Sequence, residues 1–247
     1  MSISAEGIFS SILQICNEVK ENEMENIKST AKLLAERLLG GGIIHVFGAG
    51  HSRSFGMEMC GRAGGLAPMK LVGLEDIAAR DNDSINLVEL ERDPNTANRL
   101  LEIHDVQPED AFIIVSNSGR NGSSVELAMQ CKKRGIPVIA VTSLNHSQNS
   151  TSRHFSGKKL YEVADIVIDN HCPYGDVLLE IPKYELKTGS ASTVVGAFIA
   201  QSLTVEIINI FLESNQTPPV FISANVDGGD EHNKNMIKKY EKRNITY

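Results

Sequence analysis

The residues best suited to chemistry in this chain lie in two loops rich in glycine and serine, each directly behind an apolar run. Ile43-Ile44-His45-Val46-Phe47 passes into Gly48-Ala49-Gly50-His51-Ser52, and Phe112-Ile113-Ile114-Val115 passes into Ser116-Asn117-Ser118-Gly119. Hydroxyls and unpaired backbone N–H groups in such loops are donors for an oxyanion, and a helix start behind them adds favourable potential. A single serine there would cap a helix; the pair Ser116 and Ser118 is better explained as wrapping one phosphate, with Gly119 admitting the tight turn. Thr142-Ser143 closes a third apolar run in the same way. Arg53 and Arg120 stand just past the two main loops, where they can add charge-assisted bonds. Other phosphate loops do not fit. The dinucleotide fingerprint G-x-G-x-x-G needs a third glycine where this chain has Arg53, and no G-x-x-x-x-G-K-[ST] occurs. The loops point to a phosphorylated ligand and leave open what happens to it.

These loops need strands before them and helices behind them, and the pattern supplies both. β-branched runs at 43–47, 111–115, 137–142 and 166–168 read as buried strands, with shorter ones near Leu71-Val72 and at Val220-Phe221-Ile222. Helical spacing marks residues 1–40, in one or two helices, then 53–63, 95–103, 123–134, 190–213 and a charged helix at Lys234–Lys242. The stretch 190–213 is apolar almost throughout and reads as a buried helix. Alternating strands and helices imply a parallel sheet covered on both faces, with its ligand beyond the carboxyl ends of the strands.

Bulk properties set the outer bounds. The 247 residues carry no low-complexity linker and read as one domain, 1–247, with a helical segment at 1–40, a core at 41–215 and an extension at 216–247. A net charge of −7 argues against a general nucleic-acid binder. Cys16, Cys60, Cys131 and Cys172 form no CxxC pair, as expected for free thiols in the cytoplasm. No signal peptide and no spanning segment is read, so no membrane partner is expected.

Taken together, Phe47-Gly48-Ala49-Gly50-His51-Ser52, Ser116-Asn117-Ser118-Gly119 and Gly189-Ser190-Ala191-Ser192-Thr193 resemble the sugar isomerase (SIS) domain over roughly residues 35–215. Three further stretches resemble a bacterial SIS-domain family of unassigned function, labelled phosphoheptose isomerase. They are Gly50 to Leu66, Thr151-Ser152-Arg153-His154 with Ser156 to Tyr161, and Ser223 to His232. The resemblance implies a three-layer α/β sandwich on a five-stranded parallel sheet, the flavodoxin-like SIS fold, with extra N-terminal helices. It also implies a homodimer or higher homo-oligomer and a sugar-phosphate ligand. Carried over by position, Ser52, Ser116 and Ser118 hold the phosphate; with the loop residues read above, Gly50, Arg53, Asn117, Gly119, Asn121, Thr142 and Ser143 are expected around it. Asn121 stands where the family usually has Thr or Ser, and an amide can still donate. Arg62 occupies the usual glutamate position, and Glu58 stands where phosphoheptose isomerases place a metal-binding histidine.

An isomerase needs a base for the proton beside a carbonyl and a shuttle between two oxygens. Glu58, about two turns past the first loop, is the carboxylate candidate, although at i,i+4 from Arg62 it is equally placed for an ion pair. His51 lies within the loop, and His154 and His232 belong to the family-like loops. Asp227-Gly228-Gly229-Asp230-Glu231-His232 reads as a turn and helix start in preference to a metal cluster, so neither metal nor cofactor is expected. A non-catalytic phosphosugar sensor is the second reading, since Arg62 replaces the glutamate. A nicotinamide enzyme fits the fold class alone.

Overall fold

The computed structural model describes residues 3–81, 86–243 and 245. In chain order its helices are α1 (Ala5–Asn22), α2 (Met24–Leu39), α3 (Arg53–Met59), α4 (Leu74–Asp81), α5 (Leu87–Arg92), α6 (Thr96–Ile103), α7 (Gly122–Lys133), α8 (Leu144–Gln148), α9 (Ser192–Glu213) and α10 (Gly229–Lys239). Five strands, β1 (Ile44–Gly48), β2 (Met69–Val72), β3 (Ala111–Val115), β4 (Val138–Thr142) and β5 (Ile166–Asp169), form one parallel sheet in the order β2-β1-β3-β4-β5. The α/β architecture and five-stranded parallel sheet are those expected.

Strand residues alternate between two cores, as the two-residue period requires. Ile44, Val46, Ile113, Val115, Ile139 and Val141 pack against α2, α3 and α9. Phe47, Phe112, Ile114, Val138 and Ala140 pack against α4, α6 and α7. With both faces covered, β1, β3 and β4 are buried along their whole length. Chain direction across the sheet reverses between β1 and β3, so the two loops leaving these strands diverge and leave a crevice at the carboxyl edge.

Several elements differ from expectation. Residues 220–222 form only an isolated bridge, Val220 to Leu66, because the chain there clamps the preceding turn and does not join the sheet. α3 stops at Met59, four residues early, where Cys60 turns extended and Gly61 takes a positive φ of 59°. The last helix begins at Gly229, because left-handed Gly228 makes the turn and Asp230 and Glu231 suit a helix N-terminus. The antiparallel hairpin of β6 (Val177–Glu180) and β7 (Lys187–Ser190) has no signature in the sequence, since Lys187-Thr188-Gly189-Ser190 lacks apolar alternation.

Candidate functional site

Loop one is shaped by glycine. A Cβ on Gly48 would lie 2.5 Å from the Ser52 carbonyl, and Gly50 turns the chain with φ +55°. This brings Ser52 back over the end of β1, its N–H donating to the Ala49 carbonyl at 3.2 Å. The close approach of α3 to the sheet, which a dinucleotide loop gives to its third glycine, falls here to Gly56, where a Cβ would meet Leu71 at 2.4 Å.

Loop two closes on itself. Gly119, at φ +56°, donates its N–H to the Ser116 carbonyl at 3.1 Å, with Ser116 Oγ a second acceptor at 3.2 Å. α7 begins directly behind, with its N-terminus toward the same edge. Loops one and two meet in a cleft of about 230 Å³ lined by Ser52, Ser116 and Ser118, with His51 and Asn117 beside them. That volume is enough to seat a small phosphorylated group. Among the described residues no protein group takes the Oγ of Ser52 or Ser118. Asn117 accepts from Asn170 Nδ2 at 2.9 Å through Oδ1, while its own Nδ2 is buried without a partner. The cleft thus presents a set of unclaimed donors at the strand-order reversal.

A model of the SIS domain matches residues 9–143. A UPF0309 protein of Geobacillus kaustophilus is 39% identical over 91% of this chain and 89% of its own length. One of Halalkalibacterium halodurans is 40% identical over 93% and 94%. This chain is a SIS-domain protein of the UPF0309 family. Among solved structures, phosphoheptose isomerase GmhA from Neisseria gonorrhoeae shares the fold with a TM-score of 0.54 at 17% identity, covering 81% of this chain and 95% of that one. The sugar isomerase domain of an RpiR transcription factor from Sphaerobacter thermophilus does so at 0.50 and 12%, covering 95% and 96%.

The SIS cleft also holds groups that sequence reasoning misses. His146, on α8, sets its ring 4.7 Å from that of Tyr174 at a tilt of 49°, and its Nδ1 is buried without a partner. Burial, then the neighbouring Arg120 guanidinium, push its pKa down against the pull of Asp176, so the imidazole is neutral at pH 7. Asp176 lines the cleft but caps α9, accepting from Ser192 N–H at 2.8 Å and Ser192 Oγ at 2.6 Å. Glu91, from α5, completes the wall. No spacing rule marks these three residues, which come from a one-turn helix, a loop and a short helix. A serine cap at Ser143 is the one available signal for α8.

Other expected site residues lie elsewhere in this SIS domain. Thr142 and Ser143 are fully buried and work beneath the loop. Thr142 Oγ1 donates to the Ser116 carbonyl at 2.7 Å, and Ser143 Oγ donates to Cys172 O at 2.6 Å while capping α8 at His146 N–H. The Arg53 guanidinium turns to Glu75 at 3.4 Å. Asn121 is hydrogen-bonded on both sides, to Glu91 and Arg153, and is no free donor for phosphate. Glu58 accepts from Arg62 and from Gln201 of α9 at 2.6 Å, which is the ion-pair alternative and not a place on the cleft. Buried His154 pairs with Glu126 of α7 at 2.8 Å and with Ser156 at 2.7 Å. His232 Nε2 lies 2.9 Å from the Val220 carbonyl, within the turn and helix that hold residues 220–222. Among the described residues no three His, Cys, Asp or Glu side chains converge as a metal-ligand set.

Proposed function

We propose that this SIS protein binds a sugar phosphate in the cleft at the β1/β3 reversal, the phosphate taken by Ser52, Ser116 and Ser118. One observation carries the reading: three serines from two separate loops line one small cleft, and two of their hydroxyls have no protein partner among the described residues. Phosphate accepts hydrogen bonds only, and a ring of donors ahead of α7 suits it. The fold shared with a phosphoheptose isomerase supports the same ligand class.

The activity we assign is aldose–ketose isomerisation or a related reaction on the sugar phosphate. It requires a group that takes a proton from the carbon beside the carbonyl and one that moves a proton between the two oxygens. The cleft holds groups of the required kinds in neutral His146, His51 and Glu91. The pairing of Glu58 with Arg62 and Gln201 favours a second reading, a phosphosugar sensor with no turnover. The fold shared with the RpiR transcription factor's sugar isomerase domain fits that alternative.

A ligand that binds only the native state raises its melting temperature by mass action. A thermal-shift panel of inorganic phosphate with pentose, hexose, heptose and amino-sugar phosphates tests the binding. The reading expects a rise with phosphate and a larger one with at least one sugar phosphate; no rise with any of them overturns it. NMR of the ligand that binds then separates isomerase from sensor.

We also assign a second copy of the chain to the outer face of α9. Val194, Phe198, Gln201, Val205, Ile208 and Leu212 recur there at alternating steps of four and three residues, the seam of a helix that packs against another helix. Phe198 is 54% exposed and Val205 62%, and Phe9 and Leu13 are exposed on α1, which packs against α9.

A further inference from the structure

A chain of three side chains ends in the cleft. Arg153 Nη1 donates to Asn121 Oδ1 at 3.0 Å, and Asn121 Nδ2 donates to Glu91 Oε1 at 2.6 Å. Asn121 is 7% exposed and sits at the start of α7. Its orientation is fixed by charge: reversing the amide would set its NH2 against the guanidinium and its oxygen against the carboxylate. Arg153 is itself anchored, its N–H donating to the Arg120 carbonyl at 2.8 Å. The result is a Glu91 carboxylate held by one oxygen on the wall of the cleft. Among the described residues its Oε2 has no protein partner.

A carboxylate beside a phosphate site repels the phosphate, so its presence calls for a ligand group that needs it. The serines and Asn117 supply donors, which serve phosphate oxygens. Sugar hydroxyls also need an acceptor, and a carboxylate is the strong one. We propose that Glu91 is the specificity-determining residue of the cleft, accepting hydrogen bonds from the hydroxyls of the sugar, and that Asn121 and Arg153 are its positioning residues. This rests on the sugar-phosphate reading above. It narrows the ligand to monophosphates whose remaining groups carry no negative charge. A second phosphate or a carboxylate on the sugar would face Glu91 and be rejected.

The test is calorimetric titration at neutral pH with inorganic phosphate, ribose 5-phosphate, glucose 6-phosphate, sedoheptulose 7-phosphate, fructose 1,6-bisphosphate and 6-phosphogluconate. At least one sugar monophosphate is expected to bind more tightly than inorganic phosphate, and the bisphosphate and the sugar acid no more tightly. Glu91→Gln, nearly isosteric, is expected to weaken the preferred monophosphate about tenfold or more while leaving inorganic phosphate unchanged or tighter. Asn121→Ala is expected to reproduce the loss and to add nothing in a Glu91→Gln background, since it acts through Glu91; a merely structural role would give additive losses. Equal weakening of phosphate and sugar phosphate by Glu91→Gln overturns the proposal, as does an unchanged monophosphate affinity. Those results would leave the phosphate site standing. Wild-type protein that binds neither phosphate nor any sugar phosphate removes that site, and the proposal with it.

Discussion

Serine hydroxyls in the two loops divide by what already holds them, and the division predicts opposite effects. Ser52 and Ser118 have no protein partner at Oγ among the described residues, so Ser52→Ala and Ser118→Ala are expected to shift folding stability by no more than about 0.5 kcal/mol. Each is expected to weaken phosphate binding by roughly 1.5–3 kcal/mol, the range for a hydrogen bond to a charged group. Thr142 is the reverse. Its hydroxyl donates to the Ser116 carbonyl inside the fold, which also accepts from Gly119 N–H, so Thr142→Val is expected to destabilise by about 0.5–1.5 kcal/mol through loss of one buried hydrogen bond. Urea melts and phosphate titrations on the three variants check both halves. Sequence reasoning can place Ser52, Ser116 and Ser118 together because strand-then-loop patterning fixes where a loop emerges. It misplaces Thr142, Ser143, Arg53 and Asn121 because residue type and position say that a donor is near, not where it points. Arg53 prefers Glu75 and Asn121 prefers Glu91, carboxylates brought near by α4 and α5, and no local pattern encodes those contacts. Gly119 is legible for a physical reason. At φ +56°, with Ser147 Oγ 3.0 Å from where a Cβ would sit, the position favours glycine over a residue with a side chain.

At the opposite edge of the sheet, elements distant in sequence are tied by one carboxylate. Asp110, just before β3, is fully buried. It accepts from Ile43 N–H at 2.9 Å, Gln107 N–H at 2.9 Å, His45 Nε2 at 3.0 Å and Arg243 Nη2 at 2.6 Å. The carboxylate therefore fastens β1 to β3 and the C-terminal segment to both. Burial pushes its pKa up, but the hydrogen bonds from His45 and the two backbone N–H groups outweigh it and hold the carboxyl at about 2. The folded value lies below the ordinary one, so the ionised group stabilises the fold above pH ~4. That contribution, about 2 kcal/mol, is lost as pH falls from ~4 toward the folded value. Urea melts between pH 2 and pH 7 are expected to show this loss, and Asp110→Asn to be destabilised by about 3 kcal/mol near neutral pH with a flatter acid limb. An Asn variant with an unaltered acid limb would remove Asp110 from the account. The strands themselves are legible at this scale, because 44–48, 111–115 and 138–142 are β-branched runs buried on both faces. The hairpin at 177–190 is not. Its strands lie outside the main sheet, one of them polar, and its place is set by packing on α1, where Ile8 Cδ1 lies 2.6 Å from the Cβ position of Gly189.

For the whole molecule, the decisive feature is that α9 is apolar on two sides. Its 22 residues reach a mean hydropathy of 1.7 over an 18-residue window. One side, with Val195, Ile199, Leu203, Ile207 and Phe211, lies in the core against α2 and α3. Length and composition alone would let this helix cross a membrane, but that buried side is needed to hold the sheet. What remains is a second stripe bearing Val194, Phe198, Val205 and Leu212, each more than 40% exposed. Its four-three spacing is the one that seats side chains between those of another helix. A two-fold arrangement would set the stripe against its own copy, self-complementary by symmetry. Gln201 would lie within that seam, where its bond to Glu58 satisfies its amide and carries the Glu58–Arg62 pair to the edge of the interface. Glu58 and Arg62 would then belong to assembly and not to chemistry. Phe198→Glu with Val205→Glu is accordingly expected to convert a dimer to a monomer in light scattering, because two copies would bring four carboxylates into one apolar seam. Neither side chain reaches the serine cleft, so a monomer that still folds should keep its affinity for inorganic phosphate. A wild-type monomer at micromolar concentration, or a double variant that stays dimeric, would sink the assignment of this face to a second copy.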